Sequence, residues 1–290
     1  MKKDYSEFLP LLLEFQRTEI TEWAVYTRLA RRTGGPNGEV LRRIGEDEKR
    51  HASIWERYTG KKIEPVLWKV WFFTLLAAVL GITFAIKLLE KGEEHAEKNY
   101  ALVETAIPEA GRILREETEH EEELTSLIDE ERLQYTSSMI LGLNDALVEL
   151  TGALAGFTLA FAQPRVVAMA GLITGVSASL SMAGSEYLGR KSEDDELSPA
   201  RAATYTGLAY ALTVMVLIAP YMVFSNLYLC LGVMLAATLL IIAFFNYYMA
   251  VARGQPFGAR FLEMAGISLG IAALSFGIGA LVRRCLPVEV

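Results

Sequence analysis

The chain is short of cysteine, of histidine and of any strongly basic stretch. It has two cysteines in 290 residues, Cys230 inside an apolar run and Cys285 near the end. These offer neither a disulfide framework nor a paired-cysteine metal site. A net charge of −7 without a lysine and arginine stripe argues against nucleic acid as a partner and suits metal cations better. The opening MKKDYSEFLP has no apolar signal core, so the charged half that it begins is expected to stay in the cytoplasm.

Charge is also scarce in one half of the chain. About three quarters of the acids, most of the lysines and arginines and all three histidines fall in residues 1–135. Residues 136–290 instead hold five apolar runs, at 139–162, 166–188, 202–224, 227–250 and 261–281. Each has the roughly 17 to 25 residues needed to cross a bilayer. Five crossings put the termini on opposite sides. With the N-terminus inside, Arg132, Arg190, Lys191, Arg201, Arg253 and Arg260 lie inside, against Arg165, Arg283 and Arg284 outside. The expected organisation is a cytoplasmic domain over 1–135 and a five-span membrane domain over 136–290.

A sixth apolar run, VWFFTLLAAVLGITFAI at 70–86, is bounded by Lys69 and Lys87. Its length permits a short span. Crossing there would separate residues 1–65 from 90–135, so a helix buried in protein contacts is expected instead.

Within residues 1–135 the spacing of Phe8, Leu12, Phe15, Ile20, Trp23, Tyr26 and Leu29 predicts one helix over 5–32. TGGPNGE then breaks the chain and offers Asn37 as the N-cap of a second helix over 38–58. After TGKKIEP, one very long helix is expected from Val66 to about Thr105, weakened only at Gly81 and Gly92. Pro108 opens a fourth, to about Arg132. Four helices in two hairpins make an all-α, bundle-like fold.

Two of the three histidines sit three residues after a glutamate, in Glu48–His51 and Glu117–His120. At that spacing both side chains share a helix face and can grip one ion. Two such pairs, with a glutamate from each of two further helices, make up the dinuclear carboxylate site of ferritin-like bundles. Internal symmetry nominates those glutamates. Glu19 stands seven residues before Tyr26 in EITEWAVY, and Glu93 seven before Tyr100 in EEHAEKNY. Glu22, Glu90, Glu94 and Glu97 are alternatives. His95 belongs to no such pair and reads as a surface or supporting residue, and the other acids of EETEHEEE read mostly as a solvated face.

Through EITEWAVYTRLA, LRRIGEDEKRHA, EKGEEHAEKNY and REETEH, roughly residues 5–132 resemble the rubrerythrin and ferritin-like family. The resemblance implies a ferritin-like four-helix bundle in which Glu19, Glu48, His51, Glu93, Glu117 and His120 bind two irons, with Glu48 and Glu117 as bridges. Ferritins use a long crossover between the second and third helices, whereas about seven residues intervene here. At 1.5 Å per residue, a straight third helix would carry Glu93 some 25 Å past the level of Glu48. The expectation is therefore a dimer in which the first hairpin of one subunit meets the second hairpin of another, unless the helix breaks near Gly81.

In the membrane half, Asp145 and Glu149 are four apart in the first run, and Met182 and Glu186 four apart in the second. Ionisable groups in spans are costly and mark a partner or a path. Carboxylate with thioether suits a borderline ion such as Fe2+. A packing role for Met182 and a snorkelling role for Glu186 are the structural alternatives. Residues 132–284, through GLNDALVELTGALAGF and SLSMAGSEYLGRKSE, resemble the vacuolar iron transporter family. That resemblance implies that Asp145, Glu149, Met182 and Glu186 line a path for Fe2+, and also Mn2+, exchanged for protons, in a homodimer with the pore between the first spans. Eukaryotic relatives carry a cytoplasmic glutamate-rich domain between spans two and three, where this chain has only KSEDDELSPAR. The fused architecture resembles membrane-bound ferritin. The expected function is iron export across the cell membrane with a head that captures or senses iron. The rivals are a membrane-anchored ferroxidase or peroxidase and an iron-storage protein.

Overall fold

Glycine and proline set the ends of the first two helices. Helix α1 (Leu9–Thr33) carries Pro10 in its first turn and stops at Gly34, whose φ of +64° a side chain would resist. Helix α2 (Gly35–Thr59) has Pro36 in its first turn and ends on the left-handed Gly60. Asn37 thus sits inside the first turn of α2 and does not cap it. The computed structural model describes residues 6–92, 103–104, 106–127, 135–192 and 198–285, and every regular element among them is helical. The chain divides into two compact units, Met1–Glu130 and Glu131–Val290.

The long third helix is not formed. Helix α3 (Leu67–Leu80) ends at Gly81, and α4 (Ile82–Lys91) begins on its other side. Gly81 has φ +99° and ψ 155°, a conformation essentially reserved for glycine. The chain folds back there: Val66, Lys69 and Phe72 of one arm and Leu88, Leu89 and Gly92 of the other line one cavity. A straight helix would hold Val66 and Gly92 about 39 Å apart. This corrects the uninterrupted helix, and with it the geometric reason for swapping hairpins between subunits. Within the run 70–86 the two arms also differ. Phe84, Ala85 and Ile86 are buried, whereas Trp71, Phe72 and Leu75 remain exposed on this chain. Helix α5 (Pro108–Leu127) completes the described part of the first unit.

The second unit holds five helices long and apolar enough to cross a membrane, at Ser138–Phe161, Pro164–Ser192, Pro199–Val223, Leu227–Arg253 and Phe257–Cys285. The first consists of α6 (Thr136–Asp145), a π-helical turn (Ala146–Leu150) and α7 (Thr151–Phe161). The others are α8 (Pro164–Ser192), α9 (Pro199–Val223), α10 (Leu227–Arg253) and α11 (Phe257–Cys285). Ala146, Leu150, Leu154, Tyr210, Val214 and Leu217 form its main core cluster. Small residues let α7 and α11 touch backbone to backbone. A Cβ on Gly279 would fall 2.2 Å from the Gly156 carbonyl oxygen.

Replacing Gly81 by alanine should destabilise the first unit by about 1 to 3 kcal/mol, because no other residue adopts that backbone comfortably. The check is thermal unfolding followed by tryptophan emission, since Trp23, Trp55, Trp68 and Trp71 are the four tryptophans and all lie in this unit. A lowered midpoint is expected, and an unchanged one would remove the assigned reversal.

Candidate metal centre

Three helices of the first unit repeat one layered pattern. Along α1, Leu12 and Phe15 enter one apolar cluster and Val25, Tyr26 and Leu29 another, with Glu19 and Glu22 between. Along α2, Leu41 and Ile44 precede Glu48 and His51, and Ile54 and Trp55 follow. Along α5, Ala110 and Ile113 precede Glu117 and His120, and Leu124 follows. The carboxylates and imidazoles thus lie in a polar layer closed above and below by apolar layers. Glu19, Glu48 and His51 are at most 2% exposed.

The two histidines are placed alike. His51 Nδ1 lies 2.8 Å from Glu117 Oε1, 3.3 Å from Glu19 Oε2 and 3.6 Å from Glu48 Oε2. His120 Nδ1 lies 3.3 Å from Glu48 Oε1 and 3.6 Å from Glu117 Oε2. Glu48 and Glu117 therefore each offer one oxygen to each imidazole. The ring centroids are 6.0 Å apart. Ligand atoms of Glu19, Glu48, His51 and Glu117 all fall within 4.8 Å of one another.

Each imidazole is held from behind by an acid outside the layer. His51 Nε2 is 2.7 Å from Glu116 Oε2, and His120 Nε2 is 3.3 Å from Asp47 Oδ2. Arg50 joins the two acids, pairing with Asp47 and donating to Glu116 Oε2 at 3.0 Å. Trp55 Nε1 donates to Glu19 Oε1 at 3.2 Å. A carboxylate behind the imidazole that fixes its orientation is the usual outer support of a metal-bound histidine.

The electrostatics fit a site built for cations. Burial pushes the Glu19 carboxyl well above the usual carboxylate range, and the neighbouring Glu117 adds to the rise. Burial acts on Glu48 in the same direction, but short contacts with His120 and His51 outweigh it and hold that carboxyl at about 2. Burial disfavours a charged imidazole, yet Glu117, Glu19 and Glu48 together raise His51 far above its ordinary value. Glu117 and Glu48 likewise overcome burial at His120 and take it to about 10. Glu48 Oε2, His51 Nδ1, Glu117 Oε1 and His120 Nδ1 are buried without a hydrogen bond of acceptable geometry, despite lying so close together. Buried polar atoms aimed at a common centre are what a bound cation satisfies. Nitrogen and carboxylate oxygen donors suit iron, manganese or zinc.

Five of the six nominated ligands, Glu19, Glu48, His51, Glu117 and His120, come together in one chain. Glu93, with Glu94, Glu97 and His95, lies outside the described residues. Glu22 is buried on α1 beside the layer, and Glu90 is half-buried on α4. Glu116, Asp47, Arg50 and Trp55 were not singled out by the sequence, because acids crowd those stretches and only the fold decides which of them face inward.

In the second unit the path nominees find separate neighbours. Asp145 is half-buried at the end of α6, and Glu149 is exposed on the π-helical turn, a widened turn frequent at functional sites. Tyr210 Oη, from the buried Tyr210 on α9, donates to Glu149 Oε2 at 3.1 Å. Glu186 is 9% exposed and accepts from Ser138 Oγ at 2.5 Å and Arg190 Nε at 3.0 Å. It is therefore tied to α6 as well as to its own helix. Met182 is half-buried and packs against the main core cluster. Tyr210 escaped sequence reading because a tyrosine in an apolar run looks like ordinary packing.

These features define a multi-span helical membrane protein with a buried carboxylate and histidine cluster able to hold metal. Residues 136–197, covering α6 to the end of α8 and beyond, match the model of the VIT family. Together with the five apolar helices, the match fits a vacuolar iron transporter membrane domain and hence the handling of metal ions. No curated protein matches the chain.

Two measurements test the centre. A cation must displace protons from His51 and His120, so affinity should rise with pH and fall as the solution is acidified. Calorimetric titration of the full chain with Mn2+ in buffers of different ionisation enthalpy should show roughly one to two protons released per ion near neutral pH. Release of none would contradict the assignment. Arg50→Ala should weaken metal binding about 10- to 100-fold by loosening both supporting acids. Unchanged affinity would make Arg50 an ordinary surface residue.

Proposed function

We propose that this protein exports Fe2+, and Mn2+ as well, from the cytosol in exchange for protons, and that its N-terminal unit captures iron at a two-metal site. The observation that carries the reading is the placement of two buried imidazoles whose Nδ1 atoms both face Glu48 and Glu117. In this reading His51 with Glu19, and His120, would hold the ions, and Glu48 and Glu117, which each present one oxygen to each imidazole, would be shared between them. Leu89 belongs to one apolar cluster and Val103 to the other, and the sequence between them contains Glu93, Glu94 and Glu97. It is the proposed source of the sixth ligand, Glu93 first among them. Iron held there would supply redox chemistry, so a ferroxidase step is open to the head. An ion passed to an Fe2+ path must stay ferrous, which favours capture and sensing. The ferritin-like character of the head rests on these residues and on the layering around them.

The passage is proposed to run past Asp145, Glu149, Met182 and Glu186. Tyr210 orients the Glu149 carboxylate, and Ser138 and Arg190 orient Glu186. A carboxylate in a poorly solvated passage takes up a proton readily when its cation leaves, which provides the exchange. Glu149 is exposed on a helix that crosses the membrane, a position lipid does not tolerate. A second copy closing a path over it accounts for that exposure and supports a homodimer. The arginines and lysines flanking the spans support a cytoplasmic N-terminal unit.

The test is Fe2+ uptake into proteoliposomes with a pH-sensitive dye inside. Asp145→Ala and Glu149→Gln should each lower uptake and the coupled proton movement by about tenfold or more. Wild-type rates in both would refute the path. Glu48→Ala should abolish metal binding by the head and reduce uptake at low iron. If uptake is unaffected, the head does not feed the pore.

A further inference from the structure

Helix α3 has two unlike faces. Val70 and Thr74 are buried at 2% and 7% exposure, whereas Leu67, Trp68, Trp71 and Leu75 are each 63% exposed or more and Phe72 is 45% exposed. The exposed residues recur at helical spacing on one side. At 14 residues the helix is about 21 Å long, too short for a hydrocarbon core of about 30 Å. The chain then turns back at Gly81 into the buried α4, so α3 does not cross.

The charges that touch the middle of this face are basic, whereas at its other border Glu14, Arg17 and Glu22 share a cavity with Trp68, Lys69 and Phe72. Lys69 is the only charged residue of α3. From α1, Arg28 lies over the Trp71 ring at 4.2 Å and Arg32 Nη1 donates to the Thr74 carbonyl at 3.3 Å. An apolar strip with two exposed tryptophans, with Lys69, Arg28 and Arg32 along it, suits the interface of an anionic bilayer. The link from Leu127 to Ser138 spans at most about 40 Å even fully extended, so a bilayer is within the unit's reach.

We propose that α3 lies in the plane of the membrane surface, with Trp68, Trp71 and Leu75 inserted among lipids and Lys69, Arg28 and Arg32 at the anionic headgroups. The N-terminal unit is then a lipid-docked body as well as a tethered one.

All four tryptophans lie in this unit, so quenching by lipid reports on it even in the full chain. The full chain would be placed in nanodiscs containing phosphatidylglycerol, with and without brominated acyl chains, which quench tryptophans in contact with lipid tails. Roughly half of the emission should be quenched, reflecting Trp68 and Trp71 at the lipid interface. That fraction should vanish in the double variant Trp68→Phe with Trp71→Phe and persist in Trp23→Phe. Leu75→Glu, at an exposed position, should reduce it without altering the unfolding temperature. Absence of quenching in the wild type, or equal quenching in the double variant, would overturn the proposal. So would efficient copy-to-copy cross-linking through Leu75→Cys in a Cys285→Ser background, which would show a second copy on this face.

Discussion

Burying carboxylates is the constraint on which the first unit depends. Glu19, Glu48 and Glu117 converge within a layer that apolar side chains close on two sides. Uncompensated charge in such surroundings costs several kcal/mol per group. The unit offsets that cost in two ways. Two imidazoles take up protons between the acids, and Arg50 ties together the acids that stand behind them. A multivalent cation bound at the same place would replace the protons and satisfy the buried oxygens and nitrogens more fully. Metal loading would thus be coupled to the stability of this unit, as in other sites whose ligands are ionised only around their metal.

The reversal at Gly81 lets a single chain assemble the centre. By turning back, α4 brings Ile86 and Leu89 into the cluster that also contains Val25, Ile44 and Leu124. The same turn leaves α3 on the outside, where Trp68, Trp71 and Leu75 stay largely exposed. One glycine therefore links the apolar layer that holds Val25, Ile44 and Leu124 to the exposure of an aromatic helix face.

Much of this was legible in the sequence, for identifiable reasons. The two Glu-x-x-His pairs are visible because three-residue spacing on a helix leaves little freedom in where the side chains point. The five apolar runs follow from bilayer thickness alone. The reversal was not legible, since a glycine inside an apolar helical run is usually tolerated at about 1 kcal/mol and only tertiary packing decides whether it bends the chain. Asp47 and Glu116 were hidden for a different cause. Each sits among several adjacent acids, and a rotation of one residue along the helix separates a supporting carboxylate from a solvated one. Tyr210 could be recognised only once α9 was seen against the π-helical turn that carries Glu149.

The central claim is that His51 and His120, joined through Glu48 and Glu117, hold a pair of metal ions. Anomalous X-ray scattering at the iron edge from crystals of the full chain soaked in Fe2+ tests it most directly. Two peaks beside the Nδ1 atoms of His51 and His120, both lost in Glu48→Ala, are the predicted result. Crystals that bind iron elsewhere but show no peak among these four residues would contradict it.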